Sequence, residues 1–298
     1  MNGTLRLRLA IQKKGRLADR SVELLKECGL DFEARRDQLI CSSASLPLDI
    51  MLVRDDDIPH YVLDGICELG IVGENVLEEK LAGRGDNARE HVQILERLGF
   101  GACRLAVAIP KADPYASLRA LEGKHIATSY PNLLRRHLAQ HGVSATIVEM
   151  TGSVEIAPAL HLADAICDLV QTGSTLLSNG LREVESIFES QGVLIQTSRP
   201  ISDEKHELIR RIEQRVVGVT RAMGAKYVMM NAPRTALDAI YAILPGMEAP
   251  SVIPVGTDGT RVAVHAVARE TDFWGMMERL KKVGASSILV APIEKIID

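Results

Sequence analysis

The segment DAICDLVQTGSTLLSNG, residues 164–180, runs a short apolar stretch straight into Thr-Gly-Ser-Thr. Ala165, Ile166, Cys167, Leu169 and Val170 read as a buried strand, and a second apolar series follows the small hydroxyl residues Thr172 to Thr175. The pattern is strand, tight turn, helix start. A helix N-terminus presents unpaired backbone N–H groups and a partial positive charge, so Thr172, Gly173, Ser174 and Thr175 suit a phosphate. Asp168 stands in the same unit, and a carboxylate accepts hydrogen bonds from ribose hydroxyls. A sugar phosphate meets both demands; a purely structural N-cap by Thr172 is the alternative reading.

Further strand-type runs at 5–11, 49–53, 68–72, 104–109, 125–128 and 145–149 alternate with helical patterns, notably 16–28 and 132–141. Such alternation predicts a parallel α/β architecture. A polar stretch at 80–91 marks a boundary after a first α/β unit, and a second unit runs from about 92 to 176. Residues 202–223 read as a long bridging helix. The order beyond it, AKYVMMNA, RTALDAIYAIL, PSVIPV, RVAVHAVA, DFWGMMERLKKVG and SSILVAPI, is the βαββαβ of a ferredoxin-like domain.

Length and composition narrow the function classes. A chain of 298 residues calls for two or three domains, and 46% hydrophobic with 25% charged residues is the balance of a globular protein. A net charge of −4 and only 3% aromatic residues argue against a nucleic-acid partner, which needs a basic surface or stacking platforms. The apolar N-terminal stretch is broken by Arg6 and Arg8, and no run approaches the roughly 18 residues of a membrane span. The expectation is a cytoplasmic protein without a membrane partner. Five scattered cysteines read as reduced core thiols, and the eight histidines have no zinc spacing.

Candidate ligand groups cluster where strands end, the place where parallel α/β units collect ligands. IQKKGRL sets Lys13, Lys14 and Arg16 around Gly15. VRDDDIP sets Arg54 ahead of three aspartates that read as helix caps. In ELGIVGENVLEE the strand stops at Gly73, either for a tight turn or for close approach of a ligand. EMTGSVEIAPAL places Ser153 as a cap or a ligand contact, with Glu155 in the following helical turn.

Taken in order, IQKKGRL, VRDDDIP, ELGIVGENVLEE, IATSYPNLL, GSVEIAPAL, ADAICDLVQTGSTL and ASSILVAPIEK resemble the long form of ATP phosphoribosyltransferase over nearly the whole chain. The resemblance implies a bilobal core like a periplasmic binding protein, with a C-terminal regulatory domain of ferredoxin-like βαββαβ order. Lobe I would comprise 1–90 plus about 181–220, lobe II 91–180 and the regulatory domain 224–298. It implies condensation of ATP through adenine N1 with 5-phosphoribosyl 1-pyrophosphate, giving N1-(5-phosphoribosyl)-ATP and pyrophosphate, the opening step of histidine biosynthesis. By match to the motif, Thr172, Gly173, Ser174 and Thr175 would hold the 5-phosphate and Asp168 the ribose hydroxyls. Lys13, Arg16 and Arg54 would face the triphosphate or pyrophosphate, with Gly73, Ser153 and Glu155 beside the ligand. Magnesium would ride largely on pyrophosphate oxygens with no protein cage, L-histidine would inhibit through the third domain, and the chain would form dimers and hexamers. The alternative is a non-catalytic bilobal small-molecule-binding protein or a nucleotide-sensing regulator, since fold alone does not separate these from an enzyme.

Overall fold

A computed structural model describes residues 6–33, 38–244, 246, 249–257, 259–269 and 273–297. Leu5 and Asp272, which the sequence reading placed in a strand and a helix, lie outside these. The chain divides into two compact units, residues 1–213 and 214–298.

In chain order, the first unit begins with β1 (Leu7–Gln12), α1 (Ala18–Glu27), β2 (Ile40–Ser42), β3 (Leu48–Val53), α2 (Ile58–Leu63), β4 (Leu69–Gly73), α3 (Glu74–Arg84) and β5 (Val92–Arg97). There follow β6 (Cys103–Pro110), β7 (His125–Thr128), α4 (Pro131–Gln140), β8 (Thr146–Glu149), β9 (Ala165–Val170), the short α5 (Ser174–Ser178), β10 (Leu181–Ser190) and β11 (Gly192–Thr197). The helix α6 (Asp203–Ala222) starts in the first unit and ends in the second. The second unit adds β12 (Ala225–Pro233), α7 (Leu237–Ile243), β13 (Ser251–Val255), β14 (Arg261–Arg269), α8 (Phe273–Lys282) and β15 (Ser286–Pro292).

Two sheets build the first unit: six strands in the order β2-β3-β1-β4-β11-β5 and five in the order β10-β6-β9-β7-β8. β1 runs parallel to β3 and β4, and β7 runs parallel to β8 and β9. The parallel α/β core that the alternation predicts is present, and antiparallel pairs flank it, with β2, β6, β10 and β11 opposing their neighbours. Of these pairs only β2 and β3 are joined by a short link, Ser43–Pro47, too short for the crossover of about a dozen residues that parallel neighbours need, whereas β6, β10 and β11 pair with strands remote in sequence. A single residue, Gln191, separates β10 in one sheet from β11 in the other. The return path from β5 to β6 lies against it: Leu98 N donates to Gly192 O at 2.9 Å, and Gly192 N to Phe100 O at 2.8 Å. The chain therefore passes between the sheets twice, side by side.

The core explains why the parallel strands read so clearly. Leu7, Leu9 and Ile11 of β1 and Leu69, Ile71 and Val72 of β4 are completely buried, and each such aliphatic side chain contributes about 1.5–3 kcal/mol. β9 shows the two-residue period of a strand. Ala165 and Cys167 enter the cluster with Leu133 and Leu138 of α4, whereas Ile166 and Val170 enter the opposite cluster with Val154, Ala157 and Leu176. Asp168 falls on the second face by the same period, toward the elements that carry Glu155 and the Thr172–Thr175 turn.

In the second unit the sheet order is β13-β14-β12-β15, all antiparallel, and both helices contribute to one core with Val228, Met230, Val262 and Val264. This is the ferredoxin-like arrangement the βαββαβ order predicts. Among the described residues no helix is long and apolar enough to cross a membrane.

Candidate active site

The parallel strands of both sheets deliver their carboxyl ends to the chemistry-bearing residues. From the first sheet come Lys13 to Arg16 after β1, Arg54 after β3, and Gly73 with Asn75 at the junction of β4 and α3. The second sheet supplies Tyr130 after β7, Thr151 to Glu155 after β8, and Asp168 to Thr175 at and after the end of β9. The register of β1 on β3 holds two of these turns together, since Lys13 N donates to Val53 O at 2.8 Å. Gln12 closes the basic turn by accepting the Leu17 N–H through Oε1 at 3.1 Å.

Asp168 is the electrostatic centre. Burial holds its carboxyl above the ordinary carboxylate range and Glu155 adds to the rise, while the Leu169 N–H at 2.7 Å and the Arg16 guanidinium pull it down. Arg16 thus acts across from the first sheet on a carboxylate of the second, and its Nη2 also reaches Cys103 Sγ at 3.3 Å. Tyr130 belongs to the same group. Its hydroxyl is buried, which raises its pKa; the hydrogen bond from Asn75 Nδ2 at 2.8 Å opposes this, Asp168 and Asp55 add to the rise, and Arg16 again opposes.

If Asp168 acts as a carboxylate, kcat/KM falls as the pH drops through its raised pKa, because the acid limb reports the free enzyme's essential group. Glu155→Gln removes a negative charge that raises this pKa, so the limb moves to lower pH. An unmoved limb in the variant's kcat/KM profile removes the Glu155 and Asp168 pair from the titration.

The phosphate-type turn is formed as follows. Gly173, at φ 80° and ψ 0°, is the N-cap of α5, with Thr172 and Ser174 hydroxyls 3.1 Å apart at its flanks. The N-cap position thus falls on Gly173, where left-handed backbone favours glycine, and Thr172 just before it accepts the Ser174 N–H through Oγ1 at 3.5 Å. Two other cap expectations are corrected. Asp55–Asp57 form a 3-10 turn without side-chain capping, and Ser153 lies in the left-handed region before a three-residue 3-10 turn, Val154–Ile156, in place of a regular helix. Arg54 and Ser153 are exposed, and Lys13 is half-buried. Arg16 and Glu155 both act on Asp168, whereas Lys13 and Arg54 stand at neighbouring strand ends without a side-chain partner among the described residues.

Tyr130, Asn75 and Asp55 were not singled out as site residues by sequence. The available signal was GENVLEE, where Glu74, Asn75, Glu78 and Glu79 leave α3 no apolar stripe of helical width, yet all four are buried. Buried polar groups need partners, and these partners lie elsewhere in the fold. Glu74 takes Arg97 at 2.7 Å, and Glu78 takes Arg89. Asn75 and Ser190 satisfy each other: the Asn75 N–H donates to Ser190 Oγ at 3.0 Å and Ser190 Oγ donates to Asn75 Oδ1 at 2.8 Å.

Two sheets joined by a double crossing, with strand ends from both converging on one acid, a cation turn and a glycine turn, define a bilobal α/β ligand-binding core carrying an appended ferredoxin-like domain. The family model for ATP phosphoribosyltransferase matches residues 54–218, over half of the chain, and that for the HisG C-terminal domain matches 222–295. The chain belongs to the ATP phosphoribosyltransferase family. It is therefore a pentosyltransferase of histidine biosynthesis that uses ATP and 5-phosphoribosyl 1-pyrophosphate, in a family whose enzymes generally use magnesium.

Among solved structures, the ATP phosphoribosyl transferase (HisG:HisZ) complex from Thermotoga maritima matches at 26% identity and TM-score 0.59, over 70% of this chain and 98% of that one. The alkanesulfonate-binding protein SsuA from Xanthomonas axonopodis pv. citri, bound to MOPS, matches at 17% identity and TM-score 0.44, over 70% and 72% of the two chains. The periplasmic aliphatic sulphonate binding protein SsuA from Escherichia coli matches at 16% and 0.45, over 73% and 74%.

Proposed function

We propose that adenine N1 of ATP attacks ribose C1 of 5-phosphoribosyl 1-pyrophosphate between the two lobes, with the groups at the strand ends in the following roles. Thr172, Gly173, Ser174 and Thr175 hold the 5-phosphate through first-turn N–H groups and hydroxyls. Asp168 accepts hydrogen bonds from the ribose hydroxyls. Lys13, Arg16 and Arg54 face the triphosphate or pyrophosphate, and Gly73, Ser153 and Glu155 line the ligand. The C1 to N1 bond forms as the C1 to pyrophosphate oxygen bond breaks, and no enzymic nucleophile takes part. Rate then derives from alignment of the two substrates and from neutralising the charge that develops on pyrophosphate. The observation that carries the reading is the opposition of Arg16 on one sheet to Asp168 on the other, with the bridge from Asn75 to Tyr130 beside them.

Lobe boundaries are part of the proposal. The bounds expected from the sequence, lobe I at 1–90 plus about 181–220 and lobe II at 91–180, are shifted here, because β5 (Val92–Arg97) pairs in the six-stranded sheet and β10 (Leu181–Ser190) in the five-stranded one, which supports crossings near residues 98–102 and at Gln191. Among the described residues no group of three or more His, Cys, Asp or Glu offers a metal cage. Magnesium is a hard ion that keeps several waters and binds phosphate oxygens readily, and it fits here as an ion carried on the pyrophosphate next to Asp168 and Glu155. Binding of L-histidine to the C-terminal domain, exchange between dimers and hexamers, and a cytoplasmic location complete the reading.

Gly173→Val tests the phosphate assignment. A β-branched residue at φ 80° is strained and moves the turn's N–H groups. Titration of the full-length protein should show binding of 5-phosphoribosyl 1-pyrophosphate weakened by about tenfold or more while ATP binding is kept. Equal weakening of both ligands would mean general damage, and no weakening would take the phosphate elsewhere.

A further inference from the structure

The helix α4 begins without its usual cap. Its N-cap residue is Tyr130, whose side chain makes no capping hydrogen bond, and Pro131 follows at the first helical position. The next two N–H groups, of Asn132 and Leu133, are those that an N-cap side chain normally receives. Here they donate to Glu79, Asn132 N to Oε1 and Leu133 N to Oε2, each at 2.9 Å. Glu79 belongs to α3, on the other sheet's side of the cleft, and is only 6% exposed. One helix therefore caps another across the two lobes.

The grip extends along one stripe of α3. Asn75, Glu79 and Gly83 are spaced i, i+4 and i+8, so they share a face. Asn75 holds the Tyr130 hydroxyl, Glu79 holds the first turn of α4, and Gly83 lies so close that a Cβ there would sit 2.9 Å from Asn132 Nδ2. The same Nδ2 donates to Glu79 O at 3.4 Å. Tyr130 is thus held at its hydroxyl, and the start of the helix that follows it at the Asn132 and Leu133 N–H groups, by a helix that starts directly after Gly73.

We propose that Glu79 is a positioning residue, a carboxylate clasp that docks the start of α4 on α3 and so sets Tyr130 and Asp168 opposite Arg16. It touches no substrate, and the proposal rests on the active-site reading given above. Its two carboxylate oxygens match two donors, whereas a glutamine would turn an NH2 donor toward one of them.

Steady-state kinetics on the full chain separate this role from a merely structural one. In Glu79→Gln, kcat should fall about 10–100-fold with KM for each substrate changed by less than about threefold, the signature of misaligned reacting groups. Glu79→Asp should recover part of the loss. Gly83→Ala leaves the carboxylate in place but pushes on Asn132, and should show the same kcat signature if Glu79→Gln is poorly folded. Combining Glu79→Gln with Tyr130→Phe should cost less than the sum of the two, since both loosen one element. Wild-type kcat per folded molecule in Glu79→Gln and Gly83→Ala, even with a lowered Tm, overturns the proposal. A dead Asp168→Ala enzyme beside a normal Glu79→Gln enzyme rejects the clasp and leaves the site reading standing. A fully active Asp168→Ala enzyme rejects the site reading, and the clasp with it.

Discussion

Asp168→Ala lowers kcat/KM by about 10²–10³-fold, the order expected when one preorganised charged hydrogen-bonding group is lost from a reacting centre. That corresponds to roughly 3–4 kcal/mol of barrier. The fold should not suffer with it. A carboxyl whose folded pKa is raised contributes its stability below its unfolded pKa and loses that contribution as the pH rises through the folded value. Ionising a carboxyl whose folded pKa is raised carries a cost, so alanine should leave Tm unchanged or raise it. A variant that is both inactive and less stable would make Asp168 a structural residue, and a variant with normal turnover would take it out of the site.

Ending the chain after Arg221 abolishes inhibition by histidine and keeps turnover within a few-fold of the full-length enzyme. The two units have separate cores: no residue of the cluster around Val228, Ile240 and Leu280 belongs to the clusters that carry the first unit's sheets. The cut removes all of β12 to β15 and the segment after them, whose Ile296 N–H donates to Gly218 O on α6. An inhibitor acts at a distance only through states to which it binds unequally, so removal of its site removes the coupling. Dose–response curves with histidine for both forms decide the matter. Inhibition that persists in the short form would move the histidine site into the catalytic lobes.

Much of this fold was legible because of how its strands are buried. β7 and β9 fall on the expected bounds, 125–128 and 165–170, since strands covered on both faces appear as apolar runs. β10 did not declare itself: LREVESIFES carries three glutamates, and its place beside β6 depends on partners far away, such as Arg104, which donates to Glu183 at 2.6 Å. The sheet change at Gln191 is likewise a property of pairing, which no local pattern encodes.

The site divides in the same manner. Asp168 and the Thr172–Thr175 turn share one strand and turn, so their proximity is local and readable. Arg16 meets Asp168 only after two sheets have formed, and Tyr130 meets Asn75 only because α3 and α4 start on the same side of the cleft. Polar side chains on α3 carried no assignment from the sequence. They are the partners of another lobe's backbone and side chains, which is why Glu79 is visible in the structure and silent in the sequence.

Catalysis at this cleft is read by following pyrophosphate release from purified full-length protein given ATP, 5-phosphoribosyl 1-pyrophosphate and magnesium, with and without L-histidine. The predicted result is release that requires both substrates, with phosphoribosyl-ATP formed in equal amount, and that histidine suppresses. Protein that binds both substrates yet releases no pyrophosphate would contradict the account and place the chain with non-catalytic bilobal binders.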